Sequence, residues 1–225
     1  MDSLFTFAFF TTPAGLAAIG LVAAVTLILW DWRGAVVGLI LVQWGVGSLL
    51  VQRFNMPSLW AMAFLFLAGL AGAMLSLSAI QVRWNRHAPR AGNLVMRLLI
   101  VLLAYFLFTT QNLRLPLPLI DAETVDLLSW LAVISLSMLF VSDSPLHTGI
   151  SLALWLALVQ AATAILLPNP ALIMAVGSVE IVLILAYSYL ILPTAGTELI
   201  SRPLPLDRSQ VMPQIPSAPA GDPRG

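Results

Sequence analysis

Apolar runs of about 20 residues recur along the chain, and nothing else in the sequence constrains the fold as tightly. Such a run rises about 30 Å as an α-helix, which matches the hydrocarbon thickness of a bilayer. Seven runs fall at 12–30, 34–51, 57–80, 94–110, 125–142, 147–167 and 171–192. They are continuous rather than alternating, so they read as helices that satisfy their own backbone groups and not as strands of a transmembrane barrel. Composition agrees: 60% of residues are hydrophobic and 9% are charged. The expected fold is all-α, a polytopic membrane helical bundle over residues 1–193 with about seven transmembrane helices.

The run boundaries carry helix-start chemistry. Thr12 precedes Pro13, and Asn55 and Met56 precede Pro57, placing proline where a first turn loses nothing by lacking an N–H. Asp121 is positioned to cap the fifth helix, with Glu123 in its first turn. The "LPNP" connection at 167–170 is short enough to make the last two helices antiparallel neighbours.

All ten basic residues are arginine. With seven spans, Arg33, Arg97, the topology-setting cluster Arg83, Arg86 and Arg90, and the tail residues Arg202, Arg208 and Arg224 share one side, leaving Arg53 and Arg114 on the other. The positive-inside rule then places the N-terminus outside and the C-terminus in the cytoplasm, in a cell (inner) membrane. The first span has only Asp2 before it and no basic n-region, so it reads as an uncleaved span. Residues 194–225 hold six of the fifteen prolines and read as a disordered Pro-rich cytoplasmic tail.

Many kinds of chemistry find no footing. The chain has no cysteine, hence no thiolate metal site, iron–sulfur ligation or disulfide. His87 and His147 fall in different loops and read as solvated side chains. The "RWNRHAPR" stretch at 83–90 reads as a topology-setting loop rather than a nucleic-acid site, and Trp30, Trp32, Trp60 and Trp84 read as interface anchors. There is no phosphate loop, nucleophile elbow or carboxylate pair, so catalysis by this chain alone is not expected, nor is a cofactor.

Polar residues inside the spans stand out against this background. Glu180 lies near the centre of the seventh run, Gln43 near the middle of the second and Gln160 within the sixth. A charged residue at a helix centre costs about 2.5–3.5 kcal/mol on insertion scales, so Glu180 should face the bundle interior. Helical spacing groups it with Gly177, Ile184 and Tyr187, and groups Gln160 with Ala153, Ala157 and Ala164. Small residues on both faces permit close approach. Two readings of Glu180 stand open: a protonated acid clasping neighbouring helices, or a proton-relay site that titrates as its surroundings change. Gln43, Gln160 and Tyr187 are its candidate polar support. A further small-residue stripe in the third run, Ala68, Gly72 and Ser76 beside Gly69 and Ala73, could pack inside the bundle or against another subunit.

The seventh run, "IMAVGSVEIVLILAY", resembles the third helix of the K subunit of respiratory complex I, with Glu180 at the position of its membrane glutamate. The sixth, "SPLHTGISLALWLALVQ", resembles that subunit's second helix, except that Ala153 stands where another glutamate would be. Residues 125–192 therefore form the K-like part. Over the whole chain the arrangement is similar to hydrogenase-4 component E. Arg33 followed by "GAVVGLILVQWGVGSLLV" matches its early Arg, hydrophobic helix and mid-helix Gln, with Gln43 as the Gln; "SLWAMAFLFLAGLAGAMLSLSAI" lacks the lysine common in that family. The resemblance implies a non-catalytic subunit of an ion-translocating redox complex, held in lipid beside antiporter-like subunits and a hydrogenase or dehydrogenase module. The alternatives are a small multi-pass transporter component and a membrane assembly protein.

Overall fold

The computed structural model describes residues 8–29, 31–81, 91–117, 120–142 and 144–200. Seven α-helices follow a short 3-10 turn at Ala8–Thr11: α1 Pro13–Ile28, α2 Trp32–Arg53, α3 Ser58–Gln81, α4 Ala91–Gln111, α5 Ala122–Val141, α6 Pro145–Leu166 and α7 Pro170–Ile200. Among the described residues the regular structure is helical throughout, and six of these helices are long and apolar enough to cross a membrane. The exception is α1, whose 16 residues rise about 24 Å. Its helical geometry ends before Leu29, which is already extended.

Caps account for most of the starts. Thr12 Oγ1 accepts from the Gly15 N–H at 3.1 Å, and Asp121 Oδ2 accepts from the Thr124 N–H at 2.9 Å, as their positions before the runs imply. Asp31 and Ser144 cap α2 and α6 in the same way. After α2, Asn55 takes a left-handed conformation (φ 50°), one of the few side chains that tolerates it, and the chain turns so that the Met56 N–H reaches back to Leu50 O. The "LPNP" turn leaves residues 167–169 outside helix, and Asn169 Oδ1 accepts from the Ala171 N–H at 3.0 Å. Helix α7 continues past the end of the apolar run, through Pro193 to Ile200. The Pro-rich stretch from 201, Arg83, Arg86, Arg90, His87, Trp84 and Trp30 lie outside the described residues.

Helix α2 is the centre of the bundle, bordered by α1, α3 and α6, and 67% of its span is buried. Glycine permits this. An added Cβ at Gly45 would lie 2.7 Å from Ile19, and one at Gly38 would overlap Thr26, so α1 and α2 run antiparallel with their backbones close. Gly72 of α3 faces Val36 and Ile40 of α2, so the inner part of the Ala68–Gly72 stripe is used within the bundle, while Gly69 and Ala73 are exposed. At the periphery, α4 has only 11% of its span buried and presents Leu98, Leu99, Leu102, Leu103 and Phe106 outward. That outward apolar surface is what lipid contact requires.

Candidate functional site

Glu180 is 1% exposed and joins three helices. Its Oε1 accepts from Gln43 Nε2 of α2 at 2.7 Å, and its Oε2 accepts from Gln160 Nε2 of α6 at 2.8 Å. Gln43 and Gln160 are themselves 1% exposed. Of the helical stripe anticipated from spacing, Gly177, Glu180 and Ile184 are buried on α7 while Tyr187 is half-buried, and the buried face continues instead through Ser188 and Ile191. On α6, Ala153, Ala157 and Ala164 are buried with Gln160.

Gly177 lets α7 lie close against Leu67 of α3 and puts its bare Cα in contact range of the Gln160 amide. A Cβ there would lie 3.5 Å from Gln160 Nε2 and 3.1 Å from Leu67 Cδ1 of α3, so the Gln160 amide rests over the glycine on its way to the carboxyl. Tyr187 has a different place. It is half-buried about two turns along α7, where its Cβ would stand 3.2 Å from a Cβ added at Gly149 of α6. The two amides, rather than the phenol, hold the carboxyl oxygens.

What this arrangement can do follows from the donor inventory. Two neutral amides supply one N–H to each carboxyl oxygen, and they can serve an ionised carboxylate without adding charge to the site. Gln43 Oε1, at the other end of its amide, is buried with no partner among the described residues. Spacing along single helices could place Gln160 opposite Glu180 across a short turn, but it carried no signal that Gln43, 137 positions away, would touch the same side chain. The mid-span depth of Gln43 in an apolar run was the hint that it would seek a buried polar partner.

Two further polar features correct the reading of the loops. His147 is not a solvated loop histidine: it is 4% exposed in the first turn of α6, with Nδ1 at 2.7 Å from the capping Ser144 Oγ. Ser144 directly precedes Pro145 and opens the helix, which draws the ring inward. Arg97, counted among the charges on one side of the membrane, is also turned inward. It is 3% exposed, and its Nη1 donates to Leu27 O at 3.0 Å. Because α1 stops short, its last carbonyls lack helical partners, and the arginine reaches one of them. Arg53 and Arg114, the two arginines assigned to the opposite side, are ion-paired. Arg53 meets Asp121 at 3.1 Å and Glu123 at 2.8 Å, while Arg114 meets Asp126 at 2.6 Å.

A cavity of about 540 Å³ lies between α1, α4 and α5. Gly20, Leu102, Tyr105, Phe108 and Trp130 line it, with Glu123 and Asp126 at one end. The Trp130 indole N–H donates to Gly20 O at 3.0 Å, so the ring is fixed as part of the wall.

No protein-family model, curated protein or solved structure matches the chain.

Proposed function

We propose that this chain is a non-catalytic subunit, in an inner cell membrane, of an ion-translocating redox complex related to complex I or hydrogenase-4, and that Glu180 is its proton-exchanging group. The observation that carries this is the mid-span carboxyl, buried and held through both oxygens by amides from two other helices. Intramembrane ionisable groups are expensive and mark ion pathways when they face a bundle interior. Two of the residues that carry the family resemblance, Gln43 and Glu180, share one hydrogen bond, which supports reading them as parts of one site. Antiporter-like subunits and a hydrogenase or dehydrogenase module would supply the driving reaction, and the chain itself would need no cofactor.

Glu180→Gln tests this directly, because it keeps the size and most of the hydrogen bonding and removes the titration. The expected outcome is a folded, assembled complex whose proton translocation into inverted membrane vesicles is lost or falls at least several-fold. Full translocation by an assembled Glu180→Gln complex would leave the acid as a helix clasp only.

The cavity between α1, α4 and α5 favours a second reading, as a small multi-pass transporter component. Its volume lies within the range of sites for small organic ligands, about 300–1,000 Å³, and its lining is mainly apolar with a polar end.

A further inference from the structure

Given a Glu180 that gains and loses a proton, as proposed above, the geometry points to Gln43 as the side chain that turns over with it, while Gln160 stays in place. In the arrangement observed, both carboxyl oxygens accept an N–H, from Gln43 at 2.7 Å and Gln160 at 2.8 Å. An ionised carboxylate, an acceptor at both oxygens, satisfies both contacts. When one proton from an aqueous donor joins the carboxylate, its charge falls from −1 to 0 and one oxygen becomes an O–H. An O–H at Oε1 directed along the Gln43 contact would point a hydrogen at the amide hydrogens, so pairing there requires that amide to exchange its donor for its acceptor.

The two glutamines differ in what they have to exchange. A primary amide carries its oxygen and NH₂ group at nearly equivalent positions, so a half-turn about Cγ–Cδ swaps them with little change in shape. Among the described residues Gln43 Oε1 is a buried acceptor with no partner, and Gln160 has no such stranded buried oxygen. Gln160 also lies over Gly177, which Leu67 flanks from α3. Turning Gln43 over places its idle oxygen where Nε2 stood. The new Glu180 Oε1–H donates to it, and Gln160 Nε2 continues to donate to Oε2. The site makes two hydrogen bonds in each state, and no helix has to move.

Charged and titratable groups on the surrounding elements lie far from this exchange. On α2, Arg33 and Arg53 are each ten residues from Gln43, about 15 Å along the axis. Helix α3 contributes no ionisable residue, and His147 of α6 is about 20 Å along the axis from Gln160. On α7, Tyr187 and Tyr189 stand about 10 Å and 14 Å from Glu180, and Glu198 about 27 Å. The amides are therefore the groups that respond to the carboxyl's charge.

Solid-state NMR on the full chain in liposomes, with ¹⁵N in the glutamine side chains and ¹³C at the glutamate carboxyls, reads both amides at once. Gln43→Met and Gln160→Met samples assign the two ¹⁵Nε2–¹³Cδ cross-peaks to Glu180. On acidification through the pH at which the Glu180 Cδ shift moves, the Gln43 cross-peak is expected to be lost and the Gln160 cross-peak to persist. Persistence of both, or loss of the Gln160 peak instead, would overturn the turnover of Gln43 and leave a titrating Glu180 standing. A Glu180 Cδ shift that never moves with pH would overturn the turnover and the proton-exchange proposal together.

Discussion

Glu180, between α2, α6 and α7, and Arg97, between α4 and α1, are buried to 1% and 3% exposure, yet the molecule accommodates them in opposite ways. Glu180 sits at mid-span and is met by neutral side chains that helical geometry places there. Arg97 sits six residues into α4 and is met by backbone, the Leu27 carbonyl at the C-terminal end of α1. Chemistry decides which solution each can use. A carboxyl can become neutral, so a site without counter-charge is tolerable deep in the bundle. Arginine stays charged and must stay near a polar boundary or a helix C-terminus, where unpaired carbonyls and the negative end of the helix dipole favour a cation. The first arrangement can change state, and the second can only hold.

The comparison is most directly broken by Glu180→Leu. It strands two buried amides at a cost of about 1–3 kcal/mol each, and the triple variant with Gln43→Leu and Gln160→Leu should recover much of the loss, because removing all partners leaves no orphaned donor. Thermal unfolding in mild detergent reads both, and a neutral Glu180→Leu would show that the clasp carries no stability.

Arg97→Met should cost less, about 1.5–3 kcal/mol for the charge-assisted hydrogen bond to Leu27 O, since the carbonyl it leaves is close to the helix end. The effect should concentrate on α4, the least buried helix. The chain has no cysteine of its own, so one introduced at Val101 reports the position of α4 through its labelling rate. Unchanged labelling in Arg97→Met would mean that α4 is held by apolar packing alone.

The smallest effect sharpens the clasp side. Gly177→Ala brings a methyl to 3.1 Å from Leu67 Cδ1 and 3.5 Å from Gln160 Nε2, and a Leu terminus can give way, so about 1 kcal/mol is expected. Its signature is a weakened Gln160–Glu180 contact with the Gln43 contact kept. Equal weakening of both would show that α7 moves as a whole.

Helix number and position were legible because each apolar run had to satisfy its backbone internally and bury one face, and the boundary residues Thr12 and Asp121 cap as their places imply. Glu180 and its inward face were legible for the same reason: a carboxyl in an apolar run has few places to go, and Gly177, Ile184 and the α6 alanines share its side. Gln160 could be placed opposite because the connection at 167–170 is too short for the helices to part.

Tertiary structure alone decided the rest. Sequence spacing fixes directions around one helix axis, but rotation of a helix against a distant neighbour depends on how all the ridges and glycines pack together. That is why Gln43 arrives at Glu180 while Tyr187 settles against Gly149. It is also why His147 and Arg97, polar residues at span ends that a linear reading leaves in water, turn inward to a cap and to a helix terminus that only the folded bundle provides.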